Sequence, residues 1–229
     1  MNDRVAQAAG RLDTVAVPLA RRRLETLGPD GSGAYNFYAE RLARGTIFSD
    51  YDLALARALL AWRGAPRRAH EIGGGFANLS LLLTVLGFDT VCLEFDLRRF
   101  DAACALLRDL AGAFPGIEGR CRLVNQRFPL PPYDPPPAGA VALITNLVAT
   151  TEPEAKAAML EALKTYRWAI IDIDHFLIVR RTDDERGACL AELASAGLVG
   201  APFLAVKGSA HFHRFAGRAP RFGWPWGRG

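Results

Sequence analysis

The chain has 229 residues, of which 50% are hydrophobic and 23% are charged, and its formal net charge is +4. This length and composition predict one large domain, or one domain with an extension, and exclude a largely disordered chain. Charges from Asp3 to Asp13 precede any apolar run, which argues against a signal peptide. The longest apolar stretch, residues 76–88, is interrupted by polar side chains and is shorter than the roughly 20 residues that span a bilayer. We therefore expect a soluble cytoplasmic protein.

The cysteines and the C-terminal tail carry weaker signals. None of the four cysteines belongs to a C-x-x-C pair, and their apolar neighbours predict reduced, buried thiols. Five basic residues and no acidic residue follow Glu192, so residues 217–229 form a basic tail that also contains Phe222, Trp224 and Trp226. Such a tail can attract anions or stack on bases. Since the rest of the chain shows no basic patch, we favour a solvated terminus and expect no nucleic-acid partner.

Taken in chain order, the sequence predicts a helical start followed by alternating strands and helices. Residues 1–60 are predicted to be mainly helical, with a breaker cluster at 29–33 and a strong helix at 53–60. The predicted strands of the alternating part are residues 69–72, 90–94, 120–124, 140–144 and 168–173. The predicted helices are residues 76–86, 98–114, 151–166 and 182–197, the last two opened by capping boxes at Thr151 and Thr182. This alternation predicts a parallel sheet with helices on both faces.

The end of the chain departs from the alternation. Residues 203–207 and 210–215 are two strand-like runs separated only by Gly208 and Ser209, which is the spacing of a hairpin. The sheet is therefore expected to end in an antiparallel strand. A proline-rich loop, residues 129–138, precedes the fourth predicted strand.

A glycine-rich turn stands between the first predicted strand and the helix that follows it. Gly73, Gly74 and Gly75 allow close approach of a ligand and positive φ angles at this turn. Glu94 ends the next strand, 19 residues after Gly75. At this spacing, an acidic side chain can accept both hydroxyls of a ribose. The alternative is an ordinary carboxylate at a strand end.

Two cofactors that contain a ribose fit this layout. A dinucleotide requires G-x-G-x-x-G, but Asn78 stands at the position of the last glycine. S-adenosylmethionine has no phosphate and carries an ammonium group. Glu71 can organise the turn and face that ammonium, whereas it would repel a pyrophosphate. The residues therefore favour S-adenosylmethionine.

The segment from Glu71 to Ala77, together with Glu94, resembles the first two motifs of the class I S-adenosylmethionine-dependent methyltransferases. The resemblance covers about residues 55–216 and implies a Rossmann-like, seven-stranded, mostly parallel sheet with an antiparallel last strand. It implies that Glu94 binds the ribose and that Phe95 packs on the adenine. Asn125 and Gln126 replace the family's Gly-Asp pair, and Gln126 is left to contact the adenine amine. Asn146, at the end of the fourth strand, stands where the family lines the methyl-transfer site.

The resemblance also assigns a role to the N-terminal segment. In this family such an extension, here residues 1–54, often covers the substrate. Tyr35 and Tyr38 supply aromatic rings that suit an apolar acceptor pocket. Packing of these rings into the core of the extension is an equal alternative.

Candidate catalytic side chains follow the fifth predicted strand. His175 titrates near neutral pH and is the best candidate for a general base. Asp174 or Asp172 can orient its ring, and we favour Asp174 as the second catalytic residue. A histidine with no function, in a loop, is an equal alternative. A metal site formed by these three residues, or by His211 and His213, is less favoured.

Together these observations predict a methyltransferase that uses S-adenosylmethionine, requires no metal and acts on a small-molecule acceptor at oxygen or nitrogen. The alternatives are an oxidoreductase that uses NAD and a non-catalytic nucleotide-binding or nucleic-acid-binding protein of the same fold.

Overall fold

The computed structural model describes residues 3–28, 34–129, 139–145, 147, 153–206 and 210–216. The helices are α1 (Arg4–Leu27), α2 (Ala34–Ala43), α3 (Asp50–Ala61), α4 (Asn78–Val85), α5 (Leu97–Ala111), α6 (Ile117–Arg120), α7 (Pro153–Leu163) and α8 (Asp183–Ser195). The strands are β1 (Arg68–Ile72), β2 (Asp89–Glu94), β3 (Cys121–Asn125), β4 (Val141–Ile144), β5 (Trp168–Asp172), β6 (Val199–Val206) and β7 (Ala210–Ala216).

All seven strands form one sheet in the order β3-β2-β1-β4-β5-β7-β6. Strands β1 to β5 pair in parallel, and β7 runs antiparallel to both β5 and β6. The predicted fold class is therefore confirmed, including the antiparallel last strand. Every residue of β4 is buried, as a central strand covered on both faces requires. The carboxyl ends of the five parallel strands lie along one edge of the sheet, where open α/β sheets bind ligands.

Apolar side chains fill both faces of the sheet. On one face the core contains residues of α1, α3, α4 and α5, including Leu12, Leu55 and Leu82. On the other face α7 and α8 contribute residues such as Leu163 and Leu193. The predicted helix at 53–60 is extended by a capping box, in which the Ser49 hydroxyl accepts from the Asp52 amide. The N-terminal helices therefore share a core with the sheet.

Several element boundaries differ from the sequence prediction. Strand β6 begins at Val199 rather than at residue 203, because the Gly200 and Pro202 positions hide its strand pattern. A proline is tolerated there because β6 is an edge strand. Helix α4 begins at Asn78 rather than at residue 76, because the glycine turn extends through Ala77, whose φ is +59°. The predicted cap at Thr151, most of the proline-rich loop and the tail at 217–229 lie outside the described residues.

Three of the four cysteines, Cys92, Cys121 and Cys189, are buried as predicted, whereas Cys104 is half-buried. All four are free thiols, and burial raises the pKa of each. They are therefore protonated and poorly nucleophilic near neutral pH. Among the described residues, no helix combines the length and apolar character needed to cross a membrane.

Candidate functional site

The glycine turn is a crowded point of the structure. A Cβ atom added to Gly73 would lie 2.7 Å from Cδ1 of Leu147, and one added to Gly74 would lie 2.3 Å from Sγ of Cys92. A Cβ atom on Gly75 would lie 2.2 Å from the Tyr38 hydroxyl oxygen. Gly73 and Gly75 also have positive φ angles of +74° and +58°. Three different parts of the chain therefore approach this turn too closely for any side chain.

The backbone amides of the turn donate to acceptors within the protein. The Gly73 and Gly74 amides donate to the Leu93 carbonyl, at 2.8 and 3.1 Å. The Gly75 amide donates to Oε2 of Glu94 at 2.8 Å, and the Phe76 amide faces the Tyr38 hydroxyl at 3.4 Å. These amides are thus all used within the protein, and none of them is left to bind a phosphate.

Glu94 lies at the end of β2 with only 4% of its surface exposed. Besides the bond from Gly75, its Oε1 accepts from the Asp96 amide at 2.9 Å. Each carboxylate oxygen has two acceptor positions, so one on each oxygen remains after these two bonds. The two bonds fix the carboxylate and leave one acceptor position on each oxygen unused by these amides.

Glu71 lies beneath the turn and ties β1 to α4. Its Oε2 accepts from the amide and the hydroxyl of Ser80, at 3.0 and 2.6 Å. Burial raises its pKa to about 8, so it is mostly protonated at neutral pH. The contact with Ser80 supports the predicted organising role. The second predicted role, facing a ligand ammonium, gains no support, because the side chain is buried and its contacts are directed into the protein.

A cavity of about 350 Å³ opens beside the turn, at the carboxyl edge of the sheet. Its walls come from the ends of β1 and β2, from the segment after β3, from Leu147 and from α7. Among the predicted site residues, Gly73, Phe95 and Gln126 line it. Phe95 has 57% of its surface exposed, which leaves its ring accessible to a ligand. Asn146 lies outside the described residues.

Helix α2, in the N-terminal part of the chain, packs against the glycine turn. The Tyr38 ring stacks on Phe76 with a centroid separation of 4.2 Å. Burial raises the pKa of Tyr38, so its phenol stays protonated. Tyr35 lies in the first turn of α2, but its side chain is outside the described part of the structure. The structure therefore brings Tyr38 to the turn and leaves the role of Tyr35 a prediction.

Sequence reasoning did not single out Arg41, which fixes α2 in place. This arginine is 3% exposed, and its guanidinium packs 3.9 Å from the centroid of the Phe37 ring. It donates to the Tyr51 hydroxyl at 2.9 Å and lies 3.5 Å from the Asp52 carboxylate. The aromatic residues around position 41 were the only signal in the sequence, and they did not reveal a buried ion pair.

His175 lies beyond the end of β5 and is half-buried. Its Nδ1 donates to Oδ2 of Asp172 at 2.7 Å, and this bond raises the pKa of His175 above 6.5. Asp172 is 1% exposed and also accepts from the Asp174 amide. With Nδ1 directed at a carboxylate, Nε2 is the nitrogen that can accept a proton.

The prediction that Asp174 orients His175 is corrected by these contacts. The Asp174 carboxylate instead accepts from Nε of Arg186 at 2.6 Å and from Nδ1 of His211 at 2.8 Å. The reason is that β5 ends at Asp172, so the chain turns before Asp174 and the two carboxylates contact different partners. Within the described residues, no group of three or more His, Cys, Asp or Glu side chains is arranged to hold a metal ion.

No family model matches the chain, and no curated protein matches its sequence. Solved structures do match its fold. Magnesium protoporphyrin IX methyltransferase from Synechocystis PCC 6803, with bound SAM, is 14% identical with a TM-score of 0.54, over 94% of this chain and 97% of that one. The glycopeptide N-methyltransferase MtfA in complex with sinefungin is 15% identical with a TM-score of 0.54, over 71% and 85% of the two chains. The methyltransferase domain of a bacterial CtHen1 is 12% identical, also with a TM-score of 0.54, over 72% and 96%.

The chain has the fold of the class I S-adenosylmethionine-dependent methyltransferases. The resemblance seen in the glycine turn and Glu94 is thus confirmed at the level of the fold. In this methyltransferase fold, the described cavity and the glycine turn share the carboxyl edge of the sheet. Phe176, which follows His175, pairs with the cavity-lining Leu147. The loop that carries His175 therefore lies next to one wall of the cavity.

Proposed function

We propose that this protein is a methyltransferase that transfers a methyl group from S-adenosylmethionine to oxygen or nitrogen of a small-molecule acceptor. The proposal rests on the hydrogen bonds that the backbone amides of the glycine turn make. Those of Gly73, Gly74 and Gly75 all donate to protein acceptors, and one of these acceptors is the Glu94 carboxylate. A dinucleotide pyrophosphate would find no free donor on these residues and would meet a negative charge. A cofactor without phosphate does not need those donors.

The side chains at the carboxyl edge of the sheet suit the chemistry of S-adenosylmethionine. Glu94 keeps one acceptor position on each oxygen for the two ribose hydroxyls. The exposed Phe95 ring offers a face for the adenine, and the Gln126 amide oxygen supplies an acceptor for the adenine amine. Of the three glycines, Gly73 lines the cavity, where its lack of a side chain lets a ligand approach the backbone. When bound, the cofactor supplies the electrophilic methyl group of a sulfonium.

The protein's part in the transfer is to position the acceptor and to accept its proton. We assign general-base catalysis to Nε2 of His175, since Nδ1 is engaged by Asp172. The same contact stabilises the imidazolium that forms when the proton arrives, because a buried carboxylate lies next to it. We propose that residues 1–54 cover the acceptor, with Tyr38 over the turn, and that residues 55–216 form the catalytic domain.

Thermal denaturation with three ligands tests the proposal. S-adenosylhomocysteine should raise the melting temperature, and NAD and a short RNA should not. At about 100 times the dissociation constant, the ligand adds about 2.7 kcal/mol to the free energy of unfolding, which a melting curve resolves readily. A shift with NAD and none with S-adenosylhomocysteine would reject the proposal in favour of an oxidoreductase. Binding of S-adenosylhomocysteine without turnover on any member of an acceptor panel would favour a non-catalytic protein of the same fold.

A further inference from the structure

Residues 173–180 form a loop after β5 that is organised by a buried arginine. Arg180 is 7% exposed, and its Nη1 donates to three backbone carbonyls of the loop. These are the carbonyls of Ile173 at 3.1 Å, Phe176 at 2.7 Å and Ile178 at 3.2 Å. A single guanidinium nitrogen thus cross-links three backbone carbonyls of a loop that has no helix or strand of its own.

Two backbone hydrogen bonds close the loop on itself and join it to the segment that follows β4. The Arg180 amide donates to the Asp174 carbonyl at 2.7 Å, and the Leu177 amide donates to the Leu147 carbonyl at 2.7 Å. Leu177 has a φ of +68°, a left-handed conformation that a bulky side chain disfavours. Local preference therefore does not produce this loop, and its tertiary contacts hold it, the three from the guanidinium among them.

His175 lies between two of the anchored carbonyls, those of Ile173 and Phe176. Because the backbone is held on both sides of His175, the position of its Cα atom is fixed. That position decides whether Nδ1 of the ring can reach Asp172. We infer that Arg180 is a positioning residue: by holding the 173–180 loop it places the imidazole of His175 on Asp172. The effect on turnover rests on the proposed role of His175 as base, whereas the effect on the ring itself does not.

The pKa of His175 reports the position of its ring, because that pKa depends on the distance to the neighbouring carboxylates. Asp172 faces it through a hydrogen bond, and Asp174 acts on it at longer range while paired with Arg186 and His211. Both carboxylates raise the pKa of His175. A ring that swings away from Asp172 loses the larger of these contributions, and its titration moves down towards the ordinary value near 6.5.

NMR titration of the histidine ring protons tests the inference without any acceptor. The chain has four histidines, and H175A assigns the relevant signal. The variants are R180M, R180Q and the control R181M, which makes the same change at the adjacent, exposed arginine. We expect the His175 titration to move to lower pH in R180M and R180Q and to stay unchanged in R181M. Binding of S-adenosylhomocysteine should change less than threefold in all of them, since Arg180 does not line the cavity.

A wild-type titration curve for His175 in folded R180M or R180Q would overturn the inference. Amide hydrogen exchange in the wild-type protein gives a second test that needs no variant. The Leu177 and Arg180 amides should exchange slowly if the loop is held, and rapid exchange of both would also overturn the inference. If the proposed function were wrong, S-adenosylhomocysteine would fail to bind or no acceptor would be methylated, yet both NMR results would stand. If the inference were wrong, binding would remain and the NMR results would fail.

Discussion

Substitution of Glu94 tests the cofactor site, because its carboxylate has both structural and ligand-binding contacts. Its two oxygens accept from the amides of Gly75 and Asp96, at 2.8 and 2.9 Å. A hydrogen bond to a charged acceptor contributes ~1.5–3 kcal/mol. E94A removes both bonds and leaves two amides near a buried position without an acceptor. We therefore expect a loss of up to ~3–6 kcal/mol in the free energy of unfolding, as well as a loss of cofactor binding.

The variant E94Q tests binding at a smaller cost in stability than E94A. A glutamine keeps one oxygen that can accept from one amide and one ribose hydroxyl, while its amino group replaces the other acceptor. One ribose bond is lost, at ~1.5–3 kcal/mol, which corresponds to ~10- to 150-fold in affinity for S-adenosylhomocysteine. The matched control is E118Q, the same change at an exposed glutamate of α6.

Isothermal titration with S-adenosylhomocysteine and urea denaturation, applied to all three variants, measure the two effects. We expect E94Q to fold and bind at least about 10-fold more weakly, E94A to lose more stability, and E118Q to match the wild type. Folded E94Q that binds S-adenosylhomocysteine as tightly as the wild type would refute the ribose role. It would leave Glu94 as a residue that only orders the glycine turn.

Three further predictions concern the turn and the catalytic pair. G75A should destabilise the protein more than G116A in urea denaturation, because both glycines have positive φ but only the first has a side chain within 4 Å of an added Cβ. Folding raises the pKa of Glu71 from 4.5 to about 8. The contribution of Glu71 to the free energy of unfolding should therefore be greatest below pH 4.5. It should fall by about 1.4 kcal/mol per pH unit as the pH rises towards 8. E71Q should flatten that decline between pH 6 and 8 in denaturation curves recorded across the range, and an unchanged slope would contradict the assignment. D172N should move the NMR titration of His175 to lower pH, because the hydrogen bond that His175 donates to Asp172 is the main cause of its raised pKa. An unmoved curve would show that the pair does not form in solution.

The elements of the fold could be predicted because their signals are local. The buried run of β4 and the capping box at Thr182 each lie within a few residues. The glycine turn could be recognised in the same way, by its position between a strand and a helix. The start of β6 could not, since Gly200 and Pro202 read as a loop until the edge position of the strand is known.

The contacts of the site residues could be predicted only in part. The 19-residue spacing pointed to Glu94, but its bond to the Gly75 amide requires β2 to lie beside β1, which no local pattern specifies. Likewise, alternation along β5 cannot choose between Asp172 and Asp174. The choice depends on the turn after the strand, where the His175 amide folds back towards the Asp172 carbonyl. Such contacts arise from the tertiary arrangement, so sequence reasoning could propose the residues but not their partners.

The backbone amides of the glycine turn bind acceptors inside the protein, so the turn is not built as a phosphate site. Glycines between a strand and a helix usually suggest a phosphate site, because they leave backbone N–H groups exposed to the ligand. In this chain the glycines are required for another reason, since Leu147, Cys92 and Tyr38 all approach the turn within a distance that a Cβ would fill. The amides themselves are directed to protein acceptors. The proposed ribose contact therefore depends on the remaining acceptor positions of Glu94, which would suit the hydroxyls of a nucleoside better than the oxygens of a pyrophosphate.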